Sequence, residues 1–391
     1  MTDRLLLRGG QVFDGTGAEA TPADLVIQDG RIVEVGLGLT GDQTVSLTGH
    51  TVLPGFIDCH VHVMASTLDL ARVVMTAPSY RLLQAVGNLR RTVAAGVTTA
   101  RDADGADAGL RQALADGLVT GPRLQVAIAM LSQTGGRGDH RLPSGFDLPA
   151  FDIHPGRPSG IADGPDEVRR MARRLIRAGA DVLKVAVSGS ALTNQARAVH
   201  YRPDELAVLC AEADAAGLPV MAHSHSADGA AQAVAAGVRS VEHGTELSDA
   251  TIAEMVRRGT WLVPTLTATE QAGDAATLER HRDTVRRAHR AGVRLALGSD
   301  AGLTAHGANL TELTALVEAG LTDSEALVAG TSSAAELLGL SQEIGTISAG
   351  RQADLVVAAG SAGPVATLPE RLVTVLQRGR VVAGRLPAEE G

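Results

Sequence analysis

A chain of 391 residues with a net charge of −9 and no clustered run of Lys and Arg argues against a nucleic-acid surface, and no segment reaches the ~20 apolar residues of a membrane-spanning helix. Hydrophobic residues make up 45% but aromatics only 2%, so the core must be built from Leu, Val, Ile and Ala, and the length suits a large α/β core with an added module. The two cysteines, Cys59 and Cys210, are too few for a disulfide framework, and the first residues lack the apolar run of a signal peptide, so a cytoplasmic protein is expected.

The first fifty residues predict short strands at 4–8, 24–28, 31–35 and 44–47, separated by glycine-rich turns. The same texture returns at 353–357, 372–378 and 380–382. Between these ends, strand-like runs alternate with amphipathic stretches, the pattern of βα units around a parallel sheet. Eight such runs are predicted, at 55–63, 97–103, 123–131, 181–187, 219–224, 240–243, 261–267 and 294–300. The clearest helices are at 81–95, 166–178, 203–216, 228–236, 248–258 and 278–291. Most run into a glycine (Gly96, Gly179, Gly217, Gly237, Gly259, Gly292), the expected helix stop. Eight βα units predict a closed (β/α)8 TIM barrel of the α/β class. An open doubly wound sheet is the alternative, weakened by the lack of a GxGxxG after the first strand. The irregular stretch 132–164 follows the third strand, on the side where barrel sites are built, and is expected to act as a lid or substrate loop.

Polar residues gather at the ends of these runs. In PGFIDCHVHV, His60 and His62 stand two apart on one strand, so their side chains share a face. That pair reads either as half of a metal site or as two buried, hydrogen-bonded histidines. Lys184 lies inside the apolar run DVLKVAV, His223 and His225 in PVMAHSHS, His243 in SVEHG and Asp300 in LALGSDAG. Singly, each has a structural reading: an aspartate before Ala-Gly can cap a turn. A lysine buried without a partner, however, costs several kcal/mol or gives up its charge. Together, the set converges where barrel strands end.

On these marks the chain resembles the amidohydrolase superfamily of metal-dependent hydrolases: HVH on strand one, the strand-four lysine, one histidine each on strands five and six, and Asp300 on strand eight. The resemblance spans nearly the whole chain. It implies a metal-dependent barrel over 55–343 and a discontinuous β-sandwich domain from 1–54 and 344–391, closing with GTISAGRQADLVV. It implies two divalent ions, zinc foremost with manganese or cobalt able to substitute. His60, His62 and Asp300 would hold one, His223 and His243 the other, and Lys184 would bridge them as N6-carboxylysine after taking up carbon dioxide. A hydroxide shared by the metals would attack the amide, with Asp300 as the catalytic residue passing the proton to the leaving nitrogen. His225 is expected to contact substrate or support the site rather than ligate.

The finer resemblance is to the imidazolonepropionase-like and Xaa-Pro dipeptidase group, through TTARDADGA, LSQTGGRGDH, HYRPDEL, VRSVEHGTEL and HGANLTEL. It implies a small amide substrate with a carboxylate beside the scissile bond, a dipeptide such as Xaa-Pro or an N-acyl amino acid. Tyr201 matches a family tyrosine that reaches the substrate. His140 and Arg137 are the candidate partners for the carboxylate. The chain departs from the group at GGRGD, where many relatives have GGHGD, and at Ser188–Ser190, where relatives tend to have SGG. The alternatives are a cyclic-amide hydrolase or a deaminase on the same scaffold, against which Lys184 argues, and a non-catalytic scaffold protein, against which the full ligand set argues. A homo-oligomer is expected.

Overall fold

The structure is a computed structural model, and it describes residues 3–67, 69–141, 144–146, 153–189 and 198–387. Glycine-rich turns separate five early strands, β1 (Leu5–Val12), β2 (Thr21–Gln28), β3 (Arg31–Gly36), β4 (Gln43–Ser46) and β5 (His50–Pro54). The central strands are β6 (Phe56–Val61), β7 (Val97–Asp102), β8 (Arg123–Val126), β9 (Met130–Leu131), β10 (Leu183–Ala186), β11 (Val220–Ser224), β12 (Ser240–His243) and β13 (Trp261–Val263). The last three are β14 (Leu355–Ala359), β15 (Leu372–Gln377) and β16 (Arg380–Gly384).

Both chain ends build one eight-stranded sheet in the order β16-β15-β14-β5-β1-β2-β3, with β4 beside β1. Its apolar side chains, among them Leu7, Leu25, Ile32, Val52, Leu355 and Leu376, form a core of their own. The sequence reading missed β5, because HTVLP is short and ends on a proline. Seated between β1 and β14, it buries Thr51 through Pro54 and lies at the centre of this sheet.

The central strands pair in parallel, as β6-β7-β8 and as β9-β10-β11-β12-β13. Nearly every residue in them is buried, which is why they read as apolar runs rather than alternating ones. The two sheets are linked at Val126, whose carbonyl accepts from Asp181 N at 2.9 Å. Three expected strands differ from the reading. The run 123–131 is broken between β8 and β9, where Ile128 takes φ +69°. The run 261–267 ends at Val263; Leu266–Gln271 is instead helical, because the Glu312 carboxylate accepts from Leu266 N at 2.7 Å and Thr267 N at 2.9 Å and caps it. The run 294–300 makes only the lone parallel bridges Leu262↔Leu295 and, one residue on, Val61↔Ala301. Its backbone still bonds both neighbours: Arg294 O accepts from Leu262 N at 2.9 Å, and Asp300 N donates to His60 O at 2.8 Å. Gly298 permits this close approach, since a Cβ there would overlap Val263 and come within 2.9 Å of the His60 Cβ.

The anticipated helices are present as Pro78–Ala94, Gly164–Arg177, Pro203–Ala215, Ala227–Ala236, Asp249–Arg258 and Ala275–Ala291. Gly237, Gly259 and Gly292 end three of them in the left-handed conformation. Helices of six to eight residues such as Ala108–Ala115, Thr311–Glu318 and Ser332–Leu337 were not anticipated, because two turns are too short to show a period. In the loop 132–164, Ser132 bridges Ile161 and Arg157 Nη2 donates to Asp104 Oδ1 at 2.8 Å. Its residues 142–143 and 147–152, and Ser190 of the SGS turn, lie outside the described residues. Among the described residues, no helix is long and apolar enough to cross a membrane.

Candidate metal centre

Two clusters of donor atoms meet at the C-terminal ends of the central strands. In the first, ligand atoms of His60, His243 and Asp300 lie within 4.8 Å of one another. His62 joins it: its Nε2 is 3.3 Å from Asp300 Oδ1, while His60 Nε2 is 3.6 Å from the same oxygen. Strand periodicity puts both imidazoles on one face, and the left-handed turn at Asp300 (φ +54°) brings its carboxylate between them. In the second cluster, ligand atoms of His223, His225 and His243 lie within 4.8 Å of one another. The His225 and His243 rings stack at 4.7 Å, and His243 is shared by both clusters.

Each imidazole has one nitrogen tied from behind. His60 Nδ1 is 2.7 Å from Glu242 Oε2, and His62 Nδ1 is 3.2 Å from the Asp104 carbonyl. His223 Nε2 lies 3.0 Å from Gly189 O. His225 Nδ1 and His243 Nδ1 each lie 2.7 Å from a threonine hydroxyl, Thr245 and Thr265. The carboxylate and carbonyls can only accept, so they set ring and tautomer and leave the opposite nitrogen as the donor; the hydroxyls, which can donate or accept, orient the ring.

Electrostatics favour ligation. Burial drives His60 down to about 4 and His225 to about 3, and holds His223 and His243 well below the ordinary histidine value. All four are therefore neutral near pH 7. Burial also opposes ionisation of Asp300, but the hydrogen bond from His62, with the His62 and Lys184 charges, outweighs it and holds the carboxyl well below the usual range. Burial would likewise lower His62, yet Asp300 pulls it up. Lys184, in the middle of β10, is buried and its Nζ has no hydrogen-bond partner among the described residues. Burial pulls its pKa down to about 8, against the charges of Glu242 and Asp300. Its charge acts in turn to lower His60, His223 and His243.

The loop residues are distributed differently. The Arg137 charge contributes to lowering His223 and His225. His140 is lowered by burial and by Arg137. Tyr201 takes φ +62° and its backbone N donates to Gln133 Oε1 at 2.8 Å. The Tyr201 hydroxyl is buried without a hydrogen-bond partner among the described residues.

Two supporting residues escaped the sequence reading. Glu242 accepts from Arg101 Nη2 at 3.0 Å and from Ser240 Oγ at 2.5 Å as well as bonding His60. Strand alternation sets Glu242 and His243 on opposite faces, but His243, the last residue of β12, has φ +66°, and both reach His60. The available signal was charge: Arg101 and Glu242 are ionisable residues within otherwise apolar runs.

Residues 51–384 match the amidohydrolase family. Ochratoxinase of Aspergillus niger is 30% identical over 387 residues, covering 90% of this chain and 80% of that relative. Imidazolonepropionase of Acidiphilium cryptum (strain JF-5) is 27% identical over 367 residues, covering 84% of this chain and 85% of the relative. A crystal structure of a Xaa-Pro dipeptidase with methionine bound in its active site superposes with a TM-score of 0.88 at 28% identity, covering 97% of this chain and 99% of the other. A prolidase in complex with N-methylphosphonate-L-proline gives a TM-score of 0.85 at 32% identity, covering 98% of this chain and all of the other. With a family match over most of its length and relatives of this similarity, the chain belongs to the amidohydrolase family, hydrolases that act on amide bonds and typically employ divalent metal ions.

Proposed function

We propose that the protein is a binuclear metal-dependent amidohydrolase that cleaves a small amide bearing a carboxylate beside the scissile bond, a dipeptide such as Xaa-Pro or an N-acyl amino acid. The observation that carries this reading is the pair of buried histidine clusters that share His243, together with a buried Lys184 amine that finds no hydrogen-bond partner among the described residues. An ammonium there would repel cations, whereas a carbamate is an anionic oxygen donor. An amine with a pKa of about 8 supplies the neutral form whose lone pair attacks carbon dioxide, giving the carbamate and releasing a proton. The donor set therefore fits two divalent ions. His60, His62 and Asp300 would hold one, His223 and His243 the other, with Lys184 shared as N6-carboxylysine. Nitrogen donors completed by oxygen suit zinc. When bound, the ions supply Lewis acidity and an acidified water.

The chain's own residues do the rest. Asp300 is ionised and takes up the water's proton, then delivers it to the leaving nitrogen. Arg137, Tyr201 and His140 hold the substrate carboxylate, with His225 beside it at the second cluster. The ligands of the two solved relatives, methionine and an L-proline derivative, both carry a carboxylate, which supports this chemistry. In this reading the eight parallel segments, including 294–301, close a TIM barrel over 55–343, and the sheet from 1–54 and 344–391 is the sandwich domain. The site then lies at the C-terminal ends of the strands, where barrel enzymes build theirs.

Elemental analysis of the purified protein, with a hydrolysis screen of Xaa-Pro dipeptides and N-acyl amino acids in zinc and bicarbonate, tests this. Two ions per chain with turnover of the acids is the expected result. One ion per chain with turnover of a cyclic amide, as the imidazolonepropionase relative suggests, would replace the reading. No tightly held metal after reconstitution would end it.

A further inference from the structure

Of the five histidines in the centre, His60 alone among the described residues has a carboxylate behind its ring. The other four lean on carbonyls or hydroxyls: Asp104 O, Gly189 O, Thr245 Oγ1 and Thr265 Oγ1. Glu242 divides its oxygens between two tasks. Oε1 accepts from Arg101 Nη2 at 3.0 Å and Ser240 Oγ at 2.5 Å, while Oε2 is left to His60 Nδ1 at 2.7 Å. A carboxylate can only accept, so this bond places the imidazole proton on Nδ1. The lone pair is then on Nε2, the nitrogen that looks to Asp300 Oδ1 at 3.6 Å. Arg101 is fixed in turn, since its Nε donates to the Cys59 carbonyl at 2.7 Å, in the peptide that leads into His60.

Both Arg101 (1% exposed) and Glu242 (0%) are buried. Desolvating such a pair costs as much as its attraction returns, and a well-packed apolar pair is often as stable. Fold stability is therefore a poor reason for it, and its direct contact with His60 is a better one. We propose that Arg101 and Glu242 are positioning residues that lock His60 in the Nδ1–H tautomer and aim Nε2, as a strengthened donor, at the first metal. The proposal rests on the binuclear reading above.

The test uses zinc alone as the probe, in chelator competition with metal-free protein, beside the melting temperature of the same metal-free protein. The variants are Glu242→Asp, which keeps the charge but withdraws the carboxylate from His60, and the charge-neutral double Arg101→Met/Glu242→Met, which leaves no side-chain oxygen acceptor at position 242 for Nδ1. Losing an outer partner of a metal-bound histidine typically costs about 10–100-fold in metal affinity. We expect that loss for the tighter zinc in both variants, with the metal-free double variant melting within a few degrees of wild type. A folded variant of either kind that holds zinc as tightly as wild type overturns the proposal. Failure of the wild type to bind zinc would instead overturn the binuclear reading, so the two failures are distinguishable.

Discussion

The two halves of the centre are built from the same side chain but held by different means. Charge holds the first half: Glu242 stands behind His60, Asp300 sits between His60 and His62, and Arg157 fixes Asp104, whose carbonyl tethers His62. Neutral acceptors hold the second: Gly189 O behind His223 and threonine hydroxyls behind His225 and His243. Among the described residues no hydrogen bond or ion pair joins a carboxylate to His223 or His225, and the anion beside the shared His243 is Asp300, which belongs to the first half. The first half is thus ready for a dication as folded. The second lacks an anion, and converting Lys184 to a carbamate is the way this chain can provide one.

Asp300 belongs to the charged half and should show the largest effect. As proton carrier and ligand it acts on kcat, so Asp300→Asn should lower kcat about 10²–10⁴-fold, with a much smaller change in KM. A change confined to KM would move Asp300 from the reaction to substrate binding.

Lys184 tests the neutral half. Lys184→Ala should lose the second ion and about 10³-fold in activity, the equivalent of several kcal/mol of Lewis-acid help. It should keep the first ion, because His60, His62 and Asp300 do not depend on it. Short-chain carboxylic acids should restore part of the activity by entering the vacated bridge. Zinc titrations of wild type with and without bicarbonate sharpen the contrast: the second ion should need bicarbonate and the first should not. Two ions and full activity in Lys184→Ala would dissolve the distinction between the halves.

How much of this was legible follows from where each residue sits. His60, His62, Lys184, His223, His243 and Asp300 stand out because a polar group in an apolar, buried strand is conspicuous, and the structure brings the histidines and Asp300 among them close together. Glu242 was passed over because it adjoins His243 and strand alternation sends neighbours apart; only the left-handed backbone at His243 brings both to His60. The tethers of His62 and His223 are backbone carbonyls, which no residue type announces. The same limit applies to the fold. The eighth strand-like run was legible as apolar sequence, but its bonding to β13 and β6 depends on Gly298 letting two backbones approach. The helix Leu266–Gln271 was read as strand because its cap, Glu312, lies far along the chain.

The substrate should straddle the same divide. Arg137 acts on His223 and His225, so the substrate carboxylate is expected over the second half. Losing a charge-assisted partner costs about 1.5–3 kcal/mol. Arg137→Ala, His140→Ala and Tyr201→Phe should therefore lower kcat/KM for the acid but not for its methyl ester, with Arg137→Ala the most severe. If wild type and all three variants treat acid and ester alike, the clamp is wrong and a neutral or cyclic amide becomes the better substrate.

The smallest effect should come from the neutral tethers themselves. His243 Nδ1 lies 2.7 Å from Thr265 Oγ1, buried on both sides. If Nε2 takes the ion, Nδ1 carries the proton and donates to that hydroxyl. Thr265→Val keeps the branched shape and removes the acceptor, so a buried N–H loses its partner at a net cost of about 1 kcal/mol, or roughly five-fold in affinity for the second ion by the usual conversion. Thr265→Ser keeps the hydroxyl and drops a β-branch from a residue at φ +57°, a conformation that β-branched side chains resist. It should bind the second ion as wild type does and melt no lower. Zinc competition in bicarbonate measures both. A loss in Thr265→Val as large as the 10–100-fold expected on withdrawing Glu242 from His60 would mean that a hydroxyl orients its histidine as firmly as a carboxylate does, and the two halves would then differ only in charge and not in how rigidly they are held.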